Sequence, residues 1–133
     1  MIIVDSSVWI DYFNGVNTPQ TDKLDEILEM ELLGIGDIIM TEVLQGFRSD
    51  RDYRAAKKAL TSLATLPMLG TEIAIKSADN FRLLRKQGIT VRKTNDVIIA
   101  TFCIENNCSL LFSDKDFMPF VNYLGLDAVL EKN

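Results

Sequence analysis

Short, unbroken apolar runs alternate along this chain with stretches whose apolar residues recur every three to four positions. The first run, Ile2-Ile3-Val4, is rich in β-branched types and reads as a strand covered on both faces. It stops at Asp5, followed by Ser6 and Ser7. A helical pattern over residues 7–13 begins at once and ends at Asn14-Gly15. Asn17-Thr18-Pro19 offers an N-cap and a first-turn proline to a helix over 20–33, with Leu24, Ile27, Leu28 and Leu32 as its stripe. Gly34 and Gly36 break that helix, and Ile38-Ile39 forms a very short second strand. Thr41 then caps a short helix over 42–47.

Residues 50–63 form a further helix, with Asp50 as its cap and Tyr53, Ala56, Leu60 and Leu63 inward. Leu66-Pro67-Met68-Leu69 is a weak third strand, since proline suits a sheet edge. Thr71 caps a long helix with Ala74, Ala78, Phe81 and Leu84 on one face. Arg82, Arg85 and Lys86 lie in its last turns and Gly88 ends it, as the dipole and C-cap preferences require. Thr94 caps a helix over 95–106 that is apolar on nearly every side and therefore largely buried. Leu110-Leu111-Phe112 is a fourth strand ending at Ser113-Asp114. A turn and short helix over 115–123 and a fifth strand over 126–130 follow. No repeat, linker or low-complexity segment is present. The pattern predicts one α/β domain over residues 1–133, with a mostly parallel sheet of four to five strands, helices on both faces and right-handed crossovers.

Length and composition narrow the chemistry. A chain of 133 residues buries a core of useful size, and 47% hydrophobic with 25% charged residues describes a folded protein rather than a disordered one. No apolar run approaches the roughly 20 residues that span a bilayer. The first residues are strand-like and lack a basic flank, so a signal peptide is not expected and the expected location is cytoplasmic. The two cysteines, Cys103 and Cys108, suit a reducing compartment, and Cys103 reads as a small buried apolar residue. Their spacing is not CxxC and the chain has no histidine, which excludes the usual structural zinc sites. The missing histidine also removes Ser-His-Asp and Cys-His schemes and histidine bases. Chemistry here falls to carboxylates, lysines or hydroxyls. A net charge of −5 argues against a broad hold on nucleic acid, yet it suits an acidic pocket that needs a cation.

Two predicted strands end in aspartate, Asp5 and Asp114. Parallel neighbours would bring both to one sheet edge, which is where ligands bind in open α/β sheets. Glu42 lies in the first turn after the predicted second strand, and Asp96 in the first turn of the helix before the fourth. Asp116 follows Asp114 by two residues. Such acids in a partly desolvated cleft repel one another strongly, and a divalent cation offsets that cost. All-oxygen donors suit Mg²⁺ or Mn²⁺. Each acid also has a purely structural reading. Asp96 and Glu42 could complement helix dipoles, and Asp114 and Asp116 could serve turns. Asp5, ending a buried strand, resists that reading, and the joint pattern favours a shared site.

Four segments carry a family resemblance: Ile3-Val4-Asp5-Ser6-Ser7-Val8-Trp9-Ile10, Thr41-Glu42-Val43-Leu44-Gln45-Gly46, Thr94-Asn95-Asp96-Val97-Ile98-Ile99-Ala100 and Leu111-Phe112-Ser113-Asp114-Lys115-Asp116-Phe117. In this order and spacing, over nearly the whole chain, they resemble a PIN domain, specifically a VapC-like ribonuclease toxin of a type II toxin–antitoxin pair. The resemblance implies metal-binding, catalytic carboxylates at Asp5, Glu42, Asp96 and Asp114, with Asp116 auxiliary and Ser6 or Ser7 supporting the first aspartate. It implies a Mg²⁺- or Mn²⁺-dependent endoribonuclease and an RNA substrate. It further implies an antitoxin whose C-terminal segment blocks the cleft, and a homodimer. Glu42 or Asp114 is the candidate acceptor of the attacking water's proton.

The basic groups Arg48, Arg51, Arg54, Lys57, Lys58 and Arg82, Arg85, Lys86 read mostly as solvated helix faces. Arg92 and Lys93 lead into the helix bearing Asp96 and are the candidate RNA contacts. Trp9 and Phe13 suit core or dimer packing, and an arginine of an inhibitor could plug the acidic cleft while Ile10, Phe13 and Phe47 receive its apolar side. A receiver-type phosphorylation domain needs an adjacent acidic pair after its first strand, which is missing. An Asp-x-Ser-x-Ser metal motif fails at Trp9. The remaining rival is a catalytically inactive PIN-fold module that binds RNA or protein.

Overall fold

The computed structural model describes residues 1–30 and 32–130. The strands are β1 (Ile2–Val4), β2 (Leu33–Gly36), β3 (Ala64–Leu66), β4 (Ser109–Leu111) and β5 (Asp127–Ala128). They form one sheet in the order β3-β2-β1-β4-β5, and every neighbouring pair is parallel. The helices are α1 (Ser6–Phe13), α2 (Pro19–Met30), α3 (Asp37–Gln45), α4 (Asp50–Thr61), α5 (Thr71–Lys86), α6 (Thr94–Glu105) and α7 (Met118–Leu124). A 3-10 turn over Lys115–Phe117 leads into α7. Among the described residues no helix is long and apolar enough to cross a membrane.

Consecutive strand residues point to opposite faces. Ile3 and Val4 are both fully buried, and so are Leu110 and Leu111, so the centre of the sheet is covered on both sides. The main helix–helix contacts fall into two sets, α1–α4 and α5–α7. This is the predicted α/β class, with a parallel sheet of five strands. Trp9 is buried and stacks on Phe13 with 5.9 Å between ring centroids, which makes it core packing. Cys103 is buried, and both cysteines are unbridged.

Several element boundaries differ from the sequence reading. The predicted helix over 20–33 ends at Met30; Glu31 lies outside the described residues, and Leu32 is exposed. The second strand is Leu33–Gly36, not Ile38-Ile39. Its two glycines, read as helix breakers, belong to the strand: a side chain at Gly36 would run into buried Met68, and one at Gly34 into Met1 and Leu66. Ile38 and Ile39 instead open α3, and Thr41 is inside that helix, its hydroxyl donating to the Asp37 carbonyl at 3.0 Å. The cap of α4 is Ser49 rather than Asp50, its side chain accepting from the Asp52 N–H at 3.2 Å. Gly70 and Lys93, not Thr71 and Thr94, occupy the N-caps of α5 and α6. The third strand is Ala64–Leu66, so Pro67 falls just beyond it. Ala74 and Ala78 are exposed although they share a face with Phe81: with Ser77 and Phe81 they line an open cavity against Thr94, Val97 and Ile98 of α6, while Ser77 and Leu84 are the buried residues of α5. Residues 131–133, within the expected 1–133 domain, lie outside the described residues.

The strand order sets the location of the site. From central β1 the chain builds β2 and β3 on one side, then crosses to build β4 and β5 on the other. The carboxyl ends of β1 and β4 therefore flank the switch point, where such sheets open a crevice. Val4 is paired with Leu111, and the Asp5 N–H donates to the Leu111 carbonyl at 2.9 Å.

Candidate metal centre

Asp5 leaves β1 in extended backbone conformation and becomes the N-cap of α1. One carboxylate oxygen, Oδ2, accepts from the Ser7 N–H at 3.2 Å and from the Ser7 hydroxyl at 2.7 Å. Of the two serines, Ser7 is the one that meets the Asp5 carboxylate, through both its N–H and its hydroxyl. The other oxygen, Oδ1, is buried without a hydrogen-bond partner. Burial pushes the Asp5 carboxyl above its ordinary range, and the charge of Glu42 adds to this, against the Ser7 hydrogen bonds.

Glu42 lies well inside α3 rather than in its first turn, where Asp37 sits. A dipole role for Glu42 is therefore excluded, since that effect falls off within one turn. Its Oε2 accepts from the Asn95 amide at 3.2 Å, and its Oε1 is buried with no partner. Asp96 does occupy the first turn of α6, and is only 5% exposed. A helix N-terminus alone would lower its pKa. Instead burial, then the charge of Asp5, raises it to about 7, with Asp114 and Glu42 adding and Lys93 opposing. Its Oδ2 is also buried and unpartnered.

Asp114 caps the 3-10 turn. Its Oδ1 accepts from the Asp116 N–H at 2.9 Å and its Oδ2 from the Lys93 ammonium at 3.1 Å. Burial works against the charged form, but these two donors outweigh it and hold the carboxyl below its usual range. Asp116 is 3.6 Å from the Arg92 guanidinium. Carboxylate oxygens of Asp96, Asp114 and Asp116 lie within 4.8 Å of one another. Asp5 and Glu42 lie outside that triad, yet their charges act on Asp96. The structure thus brings all five acids to one electrostatic cluster. Asp116 stands in the closest triad with Asp96 and Asp114, and Arg92 and Lys93 pair with the acids themselves.

Sequence reasoning missed Asn95. Nothing in a polar residue on the first turn of a helix announces a bond to a glutamate on another helix. It missed Ser113 as well, whose hydroxyl is buried and unpartnered next to Asp114.

The arrangement fits a divalent cation. Asp5 Oδ1, Glu42 Oε1 and Asp96 Oδ2 come from three elements, and each is buried with its hydrogen-bonding capacity unused. Buried carboxylate oxygens without partners are costly, and a hard cation offsets that cost; the closest donor group for one is Asp96, Asp114 and Asp116.

The sequence matches the PIN domain model over residues 2–119. It is 28% identical over 133 residues to the VapC ribonuclease Mb1587 of Mycobacterium bovis and to ribonuclease VapC11 of Mycobacterium tuberculosis. Each alignment covers 96% of this chain and 97% of the relative. The fold is similar to that of VapBC2 from Rickettsia felis bound to a promoter DNA fragment, with a TM-score of 0.74 and 16% identity over 96% of this chain and 97% of that one. It is also similar to a toxin–antitoxin complex from Klebsiella pneumoniae, with a TM-score of 0.72 and 18% identity over 99% and 100% of the two chains. The chain belongs to the PIN domain family.

Proposed function

We propose that this chain is a metal-dependent endoribonuclease, the toxin of a toxin–antitoxin pair, acting in the cytoplasm as one nuclease domain over residues 1–133. The observation that carries this reading is the cluster of acids beside the sheet's switch point: carboxylate oxygens of Asp96, Asp114 and Asp116 lie within 4.8 Å of one another, and Asp5 and Glu42 act on Asp96 by their charge while each keeps a buried, unpartnered oxygen. The likeness to VapC ribonucleases supports the substrate class.

Asp5, Glu42, Asp96 and Asp114, with Asp116 beside them, would hold Mg²⁺ or Mn²⁺. When bound, such an ion polarises a phosphate oxygen and lowers the pKa of a bound water. The protein supplies the rest. Ser7 fixes the orientation of Asp5 through two hydrogen bonds to one oxygen. Glu42 or Asp114 accepts the proton of the attacking water as its oxygen bonds to phosphorus and the leaving oxygen departs. Arg92 and Lys93 are exposed and flank the acids, so they can turn to the RNA backbone phosphates.

The antitoxin is the proposed partner, its C-terminal segment blocking the cleft. Ile10, Phe13 and Phe47 share one shallow cavity, with 5.7 Å between the Phe13 and Phe47 ring centroids, and Ile10 is 40% exposed. That surface suits the apolar side of an inhibitory segment whose arginine enters the acid cluster. A homodimer belongs to the same proposal and is read by sedimentation equilibrium.

The test is cleavage of RNA by the purified chain. Cutting should require added Mg²⁺ or Mn²⁺, stop in chelator, and fall at least a hundredfold in Asp96→Asn. Cleavage that persists unchanged in chelator would overturn the mechanism. A chain that binds RNA or antitoxin but never cuts would favour the inactive binding module.

A further inference from the structure

Residues 92–96 lead into and open α6, and three of them each reach a different acid. Arg92 meets Asp116 at 3.6 Å, Lys93 meets Asp114 at 3.1 Å, and Asn95 meets Glu42 at 3.2 Å. The first two contacts bring cations. The third brings a neutral amide, and it joins α3 to α6 across 53 residues of sequence.

We infer that Asn95 is a positioning residue for the metal site, holding Glu42 by one oxygen so that the other stays directed into the acid cluster. The inference rests on the reading that Glu42 is a metal donor. Glutamate is the longest of the acidic side chains, and its charge is disfavoured by those of Asp5 and Asp96. A hydrogen bond to Oε2 fixes the carboxylate against that repulsion, while Oε1 remains buried and without a partner. The neutrality of the donor is the point. A lysine at position 95 would compete with a metal ion for the glutamate, and an aspartate would repel it. An amide orients the carboxylate and leaves its full charge to the ion. Asn95 is itself exposed, so its removal should leave the fold intact.

The experiment is Mn²⁺ binding to the metal-free full chain, followed by calorimetry and by the melting temperature, for wild type, Asn95→Ala, Asn95→Asp, Glu42→Gln and the double variant Asn95→Ala/Glu42→Gln. Supporting partners of metal ligands are worth about 10–100-fold in affinity. Asn95→Ala should therefore weaken Mn²⁺ binding about tenfold with an unchanged metal-free melting temperature, and Asn95→Asp should weaken it further. In the Glu42→Gln background, Asn95→Ala should cost nothing more. Activity of Asn95→Ala should recover at saturating Mn²⁺. Wild-type affinity in Asn95→Ala, with Glu42→Gln weakened, would overturn the inference and leave the metal reading intact. The same loss in both backgrounds would also overturn it, because Asn95 would then act without Glu42. Wild-type affinity in Glu42→Gln would overturn the role of Glu42 and the inference with it.

Discussion

A carboxyl group with a pKa of about 7 makes metal binding at this cluster a competition with protons. Asp96 is that group, and burial is the first cause, followed by the charge of Asp5. In the unfolded chain it titrates near the ordinary 3.8. Between about pH 4 and 7 the folded, metal-free chain thus holds a proton that the unfolded chain has lost. Its stability should fall as pH rises through that window and level off above pH 7. Asp5 is shifted in the same direction. Asp114 is shifted the other way, and its contribution is lost only as pH falls below the ordinary carboxylate range. Thermal melts in chelator from pH 4.5 to 8 should show the decline in wild type and a flatter profile in Asp96→Asn. Mn²⁺ affinity should rise over the same range in wild type. At this scale the sequence was readable for groups that end strands or carry charge: Asp5, Glu42, Asp96, Asp114 and Asp116 were all named from it. Asn95 was not, because a neutral amide acquires meaning only from what faces it in space.

At the scale of elements, errors gathered where side-chain pattern and backbone need diverged. Leu33-Gly34-Ile35-Gly36 offers only two side chains, too few to display a strand pattern. The β-branched pair Ile38-Ile39 offers a strand pattern but sits in α3. Packing decides the case, since Met68 is fully buried over Gly36 and a Cβ there would collide with it. Gly36→Ala should destabilise the chain by about 1–3 kcal/mol, the usual cost of overpacking a core. Urea denaturation measures this, and shortening Met68 to Ala in the same chain should recover part of the loss. An unchanged midpoint would show that the glycine is not needed for that contact. By contrast β1, β4 and α6 were legible, because burial on both faces leaves an unbroken apolar run that composition alone reveals.

For the molecule as a whole, alternation of strands and helices was enough to predict a parallel sheet, and the sheet order supplied what the pattern could not. Placing β1 between β2 and β4 puts Asp5 and Asp114 on either side of the switch point, and α3 and α6 bring Glu42 and Asp96 to it. These acids repel one another in the metal-free fold, and the proposed divalent ion would relieve that repulsion. Asp96→Asn tests it most directly, since its charge is disfavoured by the fold, whereas Asp114 is held charged by Lys93 and the Asp116 N–H. The decisive measurement is the melting temperature of wild type and Asp96→Asn at pH 7.5, in chelator and in Mg²⁺. In chelator the variant should melt at or above wild type, and Mg²⁺ should raise wild type while leaving the variant nearly unmoved. An equal rise in both, or a variant that melts well below wild type in chelator, would contradict this.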